Sequence, residues 1–379
     1  MEPIKIPCVF MRTGTSKALY FKKEDLPADP ALRDQYLLAA IGSPDVRQID
    51  GMGGGDVSLS KIALISKSTS PEYDIEYTFG QVSLTAKSID YSGNCGNCSS
   101  GAGPFAIDEG LVEAVEPETF IRVLNTNTNK VLYKTVRVKD GKAVVAGDYQ
   151  IDGVPGTAAP IDLDFKETVG STNGALLPTG NLRDILTVPA LGDIEVTIAD
   201  LGNPVVFFQA SQVGATGLEP RPEINGNGEL LDRIEAVRQA AAEKIGLVQP
   251  GQVAKQVSPM KPLVVLFAEA ASYKDYVSGE EIAADTMDFS ARNIMSQMCI
   301  DTFAATAGLC CGVVAKLEGT VLSDLARKRD QDTVYIGHSR GIMDVVVRVA
   351  EKDGKPVVEK AVLKRTARRL MEGKVCINL

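Results

Sequence analysis

Two cysteines stand three positions apart in the stretch YSGNCGNCSS, residues 91–100, among glycine, asparagine and serine. In that setting Cys95 and Cys98 suit three chemistries: metal ligation, disulfide exchange, or proton transfer to and from carbon. Structural zinc wants four ligands, and an iron–sulfur cluster wants three or four thiolates. The second close pair, Cys310 and Cys311, is adjacent in sequence, and the chain has one histidine, His338. Adjacent thiols rarely point at one ion, so no metal is expected. Disulfide exchange is better supported, since C-x-x-C at a helix N-terminus lowers a thiol pKa. Against it, no thioredoxin-like βαβ context surrounds the motif. Proton transfer fits best. A helix N-terminus presents free N–H groups and a positive dipole, which stabilise a thiolate and hold a carboxylate.

Other polar clusters need weighing beside the thiols. MRTGTSKALYF, Met11 to Phe21, gathers Arg12, Thr13, Thr15, Ser16 and Lys17 in a glycine-containing turn between strands. Such a density of donors suits a carboxylate site, although a polar surface hairpin has the same composition. In SLSKIALIS, Lys61 opens an apolar strand. A lysine there snorkels to water, or, if buried, its pKa falls and it becomes a base. GMGGGD, Gly51 to Asp56, lacks the endings of a phosphate loop and reads as a tight turn, or as a backbone cradle for an anion. GHSRG, Gly337 to Gly341, matches a nucleophile elbow. That elbow needs a catalytic histidine later in the chain, and the only histidine precedes this serine, so a strand-connecting turn is expected. KRTARRLMEG near the C-terminus reads as a solvated basic strand or an anion anchor.

The elements that must position these groups follow from length and pattern. At 379 residues the chain is long for one core, so two domains are expected. With 44% hydrophobic and 23% charged residues it reads as a well-buried soluble globule. A net charge of −9 argues against nucleic acid or an anionic membrane as partner. No signal peptide or membrane span is expected. Seven cysteines, an odd number without secretory features, suggest reduced thiols and a cytoplasmic protein.

IKIPCVF, YDIEYTF, VSLTAKSIDY, FIRVLNT, VLYKTVRV and KAVVAGDYQ are β-rich runs separated by turn residues. After Cys98, small residues and then Phe105, Ile107 and Leu111 predict a buried helix whose N-terminus carries the thiols. A turn-rich passage from IDGVPGT to LPTGN places a boundary near residue 187. Beyond it, DIEVTIADLGNPVVFFQA reads as strand, turn and strand, and GELLDRIEAVRQAAAEKIGLV as a helix. The passage from Ala291 to Ala326 reads as largely helical, and the last stretch as strands. A two-fold echo results, each half being a sheet around a helix that begins at Cys95-Gly96 or at Cys311-Gly312.

MRTGTSK, SLSK, NCGNCSSGAGPFAIDEGLV, IDGVPGT, LPTGN, GNPVVF and RTARRLMEG, in this order, resemble the PrpF family over essentially the whole chain. The likeness is greatest to the branch acting on 3-methylitaconate. The resemblance implies the diaminopimelate epimerase-like fold, an α+β class with two pseudo-symmetric domains, each a β-sheet wrapped around a central helix. The domains would span 1–187 and 188–360, with 361–379 returning to the first and the active site in the cleft. It also implies a cofactor-independent isomerase that moves a C=C bond by a 1,3-allylic proton shift. The substrate would be a small unsaturated di- or tricarboxylate such as methylitaconate, 2-methylaconitate or oxalomesaconate, and the enzyme a homo-oligomer. By motif, Lys61 matches the catalytic lysine, Cys95 the acid/base cysteine, Ser16 a substrate-site hydroxyl and Cys310 the second cysteine. Thr15, Lys17, Asn94, Gly96, Asn97 and Asn203 would bind the substrate. Two departures stand out. Family members commonly lack a cysteine at the position of Cys98, and many carry a histidine where this chain reads Cys299-Ile300-Asp301. Two other readings remain open: a two-cysteine racemase or epimerase using Cys95 and Cys310, and a thiol redox or accessory protein using Cys95 and Cys98.

Overall fold

The computed structural model describes residues 2–327 and 332–379. Its backbone contacts divide the chain into two compact units, Met1–Leu163 with Lys364–Leu379, and Asp164–Leu363. The division falls before the expected boundary near 187, for a polar reason. Asp200 of the second unit accepts the Ser171 hydroxyl and the Thr172 N–H, both at 2.7 Å. Its backbone carbonyl takes the Gly170 N–H at 3.0 Å, so the turn-rich passage is fastened to the second sheet.

In the first unit, Ile4–Thr13 pairs antiparallel with Ala367–Ile377 on one side and with Ser16–Lys22 on the other. Ser16–Lys22 runs parallel to Lys61–Lys67, which is antiparallel to Ile75–Val82. Ile75–Val82 runs parallel to Glu118–Asn125, which is antiparallel to Lys130–Lys139. The parallel connection after Ser16–Lys22 is made by helix α1, Pro30–Ile41. Asp29 caps it by accepting the Leu32 N–H at 2.9 Å, proline fills the first helical position, and Gly42 ends it in the left-handed conformation. Its Leu37, Leu38 and Ile41 pack on Leu19, Phe21, Ile62 and Leu64 of one sheet face.

The other face of that sheet surrounds helix α2, Gly96–Asp108, in which every residue from Gly96 to Ile107 is buried. Period-two alternation puts Thr13, Ser16, Tyr20, Lys61, Tyr77, Phe79 and Gln81 on this inner face. The helix is made of small residues because the strands come so close. A Cβ on Gly101 would lie 2.5 Å from Thr13 Cγ2 and 2.6 Å from the Tyr20 hydroxyl. Phe105 fills the lower part of the helix–sheet contact, its ring 5.7 Å from that of Tyr20.

The second unit repeats this plan. Asp184–Val188, Gly192–Asp200 and Pro204–Gln209 are successively antiparallel. Leu263–Ala268 is then parallel to Pro204–Gln209, Phe289–Met295 antiparallel, Thr333–His338 parallel, and Gly341–Lys352 antiparallel. The alternation of senses is that of the first unit, strand for strand. Helix α3, Gly228–Lys244, takes the place of α1, with Leu230, Ile234, Val237 and Ala241 buried on the sheet. Helix α4, Ala305–Lys316, takes the place of α2 and is buried from Ala305 to Val314. A Cβ on Gly312 would meet Val347 Cγ2 at 2.6 Å, the same close approach seen at Gly101.

Two expectations change here. The sequence predicts helix from Ala291 onward, yet Phe289–Met295 is a strand, buried at every position. A strand buried on both faces loses the alternation that distinguishes it from a buried helix. The second helix was expected to begin at Cys311-Gly312, and it begins at Ala305. The turn read at GHSRG is present, with His338 paired to Gly341 across it.

Candidate active site

Cys95 is the N-cap of α2, where its sulfur takes the role usually held by a serine or aspartate oxygen. Its Sγ accepts the Cys98 N–H at 3.3 Å. The pKa of this half-buried thiol is held below the ordinary value. The Cys98 thiol donates a hydrogen bond to it, the positive charge of Lys61 attracts the thiolate, and the N–H groups of Cys98 and Asn97 add to both; burial opposes them. Cys98 is pushed the other way, by burial and by the neighbouring Cys95 sulfur. The pair is therefore unequal: Cys95 is the thiolate and Cys98 its donor. Around them, the Tyr20 hydroxyl donates to the Cys98 carbonyl, and the Tyr77 hydroxyl donates to the Cys95 carbonyl at 3.3 Å.

Lys61 opens its strand, as the motif suggested, and its side chain is 1% exposed rather than reaching to water. Its Nζ donates to Gln81 Oε1 at 2.7 Å and lies 5.2 Å from the centre of the Phe79 ring. Both close partners are neutral.

The hairpin turn between Thr13 and Ser16 comes up to the start of α2. Thr15 Oγ1 accepts from Asn97 Nδ2 at 3.0 Å, and Asn97 Oδ1 accepts from Arg365 Nε at 3.0 Å. Ser16 is 4% exposed on the α2 face. Asn94 is buried just before the helix, its Oδ1 accepting from Asn125 Nδ2 at 2.7 Å. Gly96 is the first residue of the helix. Lys17 does not join this group. It follows Ser16 in an extended strand, so it projects from the opposite face, where its Nζ lies 5.3 Å from the Phe10 ring over the α1 side.

In the second unit Asn203 occupies the hairpin turn that corresponds to Thr15, and its Nδ2 donates to Thr306 Oγ1 at 3.0 Å. Thr306 is the second residue of α4, as Asn97 is of α2. Cys310 does not occupy the site expected of it. It lies in the middle of α4, fully buried, at the position that Gly101 has in α2. Burial and the nearby Asp200 push its thiol above the ordinary range, and burial does the same for Cys311. The N-cap that corresponds to Cys95 is Ala304, which has nothing to ionise.

Several residues of the first site escaped the sequence reading. Gln81 stands between two β-rich runs and carries no motif, whereas Arg365 lies in KRTARRLMEG, where it serves as the donor to Asn97. Lys134 was missed although its strand carried the signal. It shares one buried row with Leu132, Val136 and Val138, and its Nζ donates to Ser99 Oγ at 3.2 Å. Among the described residues, no group of three His, Cys, Asp or Glu side chains is placed to hold a metal ion. No described helix is long and apolar enough to cross a membrane.

The sequence profile described as PrpF protein matches residues 3–378. A 3-methylitaconate isomerase of Eubacterium barkeri is 48% identical over 378 residues, covering 100% of this chain and 98% of that one. A (4E)-oxalomesaconate Delta-isomerase of Novosphingobium sp. is 42% identical, covering 98% and 97%. A 2-methyl-aconitate isomerase of Cupriavidus necator is 37% identical, covering 98% and 96%. Among solved structures, a methylitaconate-delta-isomerase superposes with a TM-score of 0.81 at 48% identity, covering 100% of this chain and 96% of that one. A hydroxyproline epimerase of Agrobacterium vitis gives 0.57 at 13% identity over 98% and 92%, a likeness of fold alone. With two topologically equivalent units of sheet around helix, the fold is of the diaminopimelate epimerase-like class, and the chain belongs to the PrpF family.

Proposed function

We propose that this chain is a cofactor-independent isomerase that moves a C=C bond in a small unsaturated di- or tricarboxylate by a 1,3-allylic proton shift. What supports the reading is a buried Lys61 on the sheet face that surrounds α2, whose charge lowers the pKa of Cys95 at the N-cap of that helix. A proton next to a carboxylate is weakly acidic, so a base needs an adjacent positive field and hydrogen-bond donors to stabilise the dienolate. The Cys95 thiolate takes the allylic proton, the electron pair spreads through the C=C–C unit to the carboxylate, and Lys61 returns a proton to the far carbon. The reverse direction exchanges the two roles. Ser16 and the segment Asn94–Asn97 are the donors within reach of that helix end. The relatives' names supply the substrate class: methylitaconate, oxalomesaconate and methylaconitate are all unsaturated polycarboxylates.

A two-cysteine racemase is disfavoured by Ala304 at the corresponding cap and by the buried position of Cys310. The test is a screen of methylitaconate, methylaconitate, aconitate and oxalomesaconate by ultraviolet absorbance. Turnover of at least one at an enzyme-like rate is expected. No change in absorbance with any of them, from folded protein, sinks the proposal.

A further inference from the structure

The carboxamide of Gln81 is held at both ends. Its Nε2 donates to the carbonyls of Ser60 at 3.0 Å and Val57 at 3.1 Å, and its Oε1 accepts from Lys61 Nζ at 2.7 Å. Two carbonyls on one side settle which end is nitrogen, so an oxygen must face the lysine. The support continues behind it. Ser60 Oγ lies 2.7 Å from both Gln48 Oε1 and the Asp56 carbonyl, and Gln48 Oε1 also accepts the Gly55 N–H at 3.0 Å. A Cβ on Gly53 would sit 2.0 Å from Gln48 Oε1. The glycine loop thus makes room for Gln48 and braces the start of the Lys61 strand. Its Met52 and Gly53 N–H groups are engaged by the carbonyls of Ala40 and Ile41, which removes the anion cradle suggested by composition.

We propose that Gln81 is a positioning residue for proton transfer, holding Lys61 toward Cys95 through a neutral acceptor. The proposal rests on the reading of Lys61 and Cys95 as the acid–base pair. An amide oxygen engages one of the three N–H donors of the ammonium and leaves the others for thiolate and substrate. A carboxylate at this position would form a buried ion pair, hold the lysine proton and cancel its field at Cys95. An apolar side chain would leave Nζ free to turn. Among the described residues, the ionisable groups that act on Cys95 or feel it are Lys61 from the strand, Cys98 from α2, and Tyr20 and Tyr77 from the sheet. Lys61 alone among them brings a positive charge.

The experiment measures the pH dependence of Cys95 alkylation by iodoacetamide, read on its own peptide by mass spectrometry, which requires no substrate. It compares wild type, Gln81→Met, Lys61→Met and the double variant, with kcat, KM and melting temperature alongside. Gln81→Met is expected to move the Cys95 midpoint up by about half to one pH unit. It should lower kcat roughly 10- to 100-fold with KM within about threefold. In the double variant the midpoint should move no further than in Lys61→Met, because Gln81 acts only through the lysine. A folded Gln81→Met with an unmoved midpoint, or shifts that add in full, overturns the proposal; a purely structural glutamine would change the melting temperature alone. Should Gln81→Met fail to fold, Gln81→Asn stays neutral, withdraws the amide oxygen from the lysine and carries the same expectations. Shifted alkylation without turnover of any polycarboxylate supports the positioning and counts against the isomerase.

Discussion

Asn97 donates from its Nδ2 to Thr15 Oγ1 across 3.0 Å, linking a hairpin turn to the first turn of a buried helix. The second unit makes the same link at 3.0 Å with the partners exchanged, the amide of Asn203 on the turn and the hydroxyl of Thr306 on the helix. Thr15→Val should therefore cost about 1 kcal/mol in urea unfolding. Asn97→Leu should cost more, roughly 2–4 kcal/mol, because it also strips the buried Arg365 Nε of its acceptor. The exchanged pair, Thr15→Asn with Asn97→Thr, should recover part of the loss. Strict additivity of the two changes would show that the link carries no coupling.

Cys95→Ser should lower kcat by about three orders of magnitude, since a hydroxyl caps the helix as well but is a far weaker acid. Cys98→Ser keeps a donor toward Cys95 and should be mild. Equal, severe losses at both positions, with a reversible disulfide between them, would return the thiol-exchange reading to favour.

The rate should rise with pH through a limb lying below the ordinary thiol value of about 8.5, because the working form is the Cys95 thiolate and its pKa is lowered. The largest single cause is the hydrogen bond from the Cys98 thiol. Cys98→Ala removes it and should carry the limb to higher pH. The profile of kcat/KM in both proteins checks this, and an unmoved limb assigns the titration to some other group.

Lys61→Ala should abolish isomerisation and slow exchange of the allylic proton with deuterated solvent, followed by NMR, because the Cys95 base loses its positive neighbour, while substrate still binds. Lys61→Arg should fail as well, since a guanidinium stays charged and neither takes nor gives the proton. Isomerisation at the wild-type rate in either variant removes Lys61 from the mechanism.

Lys134 offers a test of stability apart from catalysis. Burial lowers its pKa to about 7, whereas the unfolded chain titrates near the ordinary 10.4. Below pH 7 both states hold the proton, and the folded state bears the whole cost of the buried charge. Between pH 7 and about 10.4 the unfolded state binds more protons, so the stability linked to this group rises with pH. Lys134→Met should therefore stabilise the protein at pH 6, by up to roughly 4 kcal/mol less the bond to Ser99, and the difference should shrink by pH 10. A difference that is constant across that range would place the cause in packing rather than charge.

Strong local chemistry made part of this site readable from residues alone. Small residues after two thiols announced α2, and a lysine leading an apolar strand announced Lys61. The second unit was harder, because ATAG ahead of Cys310 is as suited to a buried helix as CCG itself, and α4 starts there. Lys17 was misplaced by ignoring alternation, since adjacent residues of one strand cannot serve one face. Gln81 left no mark in the sequence. Its importance comes from Val57 and Ser60 carbonyls delivered by a loop, an arrangement that spacing does not encode.

Helix α2 carries Gly96, Gly101, Gly103 and Pro104, and glycine costs about 1 kcal/mol and proline about 3 kcal/mol relative to alanine in a helix interior. Such a segment has no tendency to be helical by itself; the enclosing strands impose the shape. Until they close, Cys95 has no capped amides and no facing Lys61, and the chain carries seven thiols of ordinary acidity. A newly made or heat-loosened molecule thus holds no thiol that ionises early, and the appearance of one thiolate near neutral pH reports that the sheet has closed around α2.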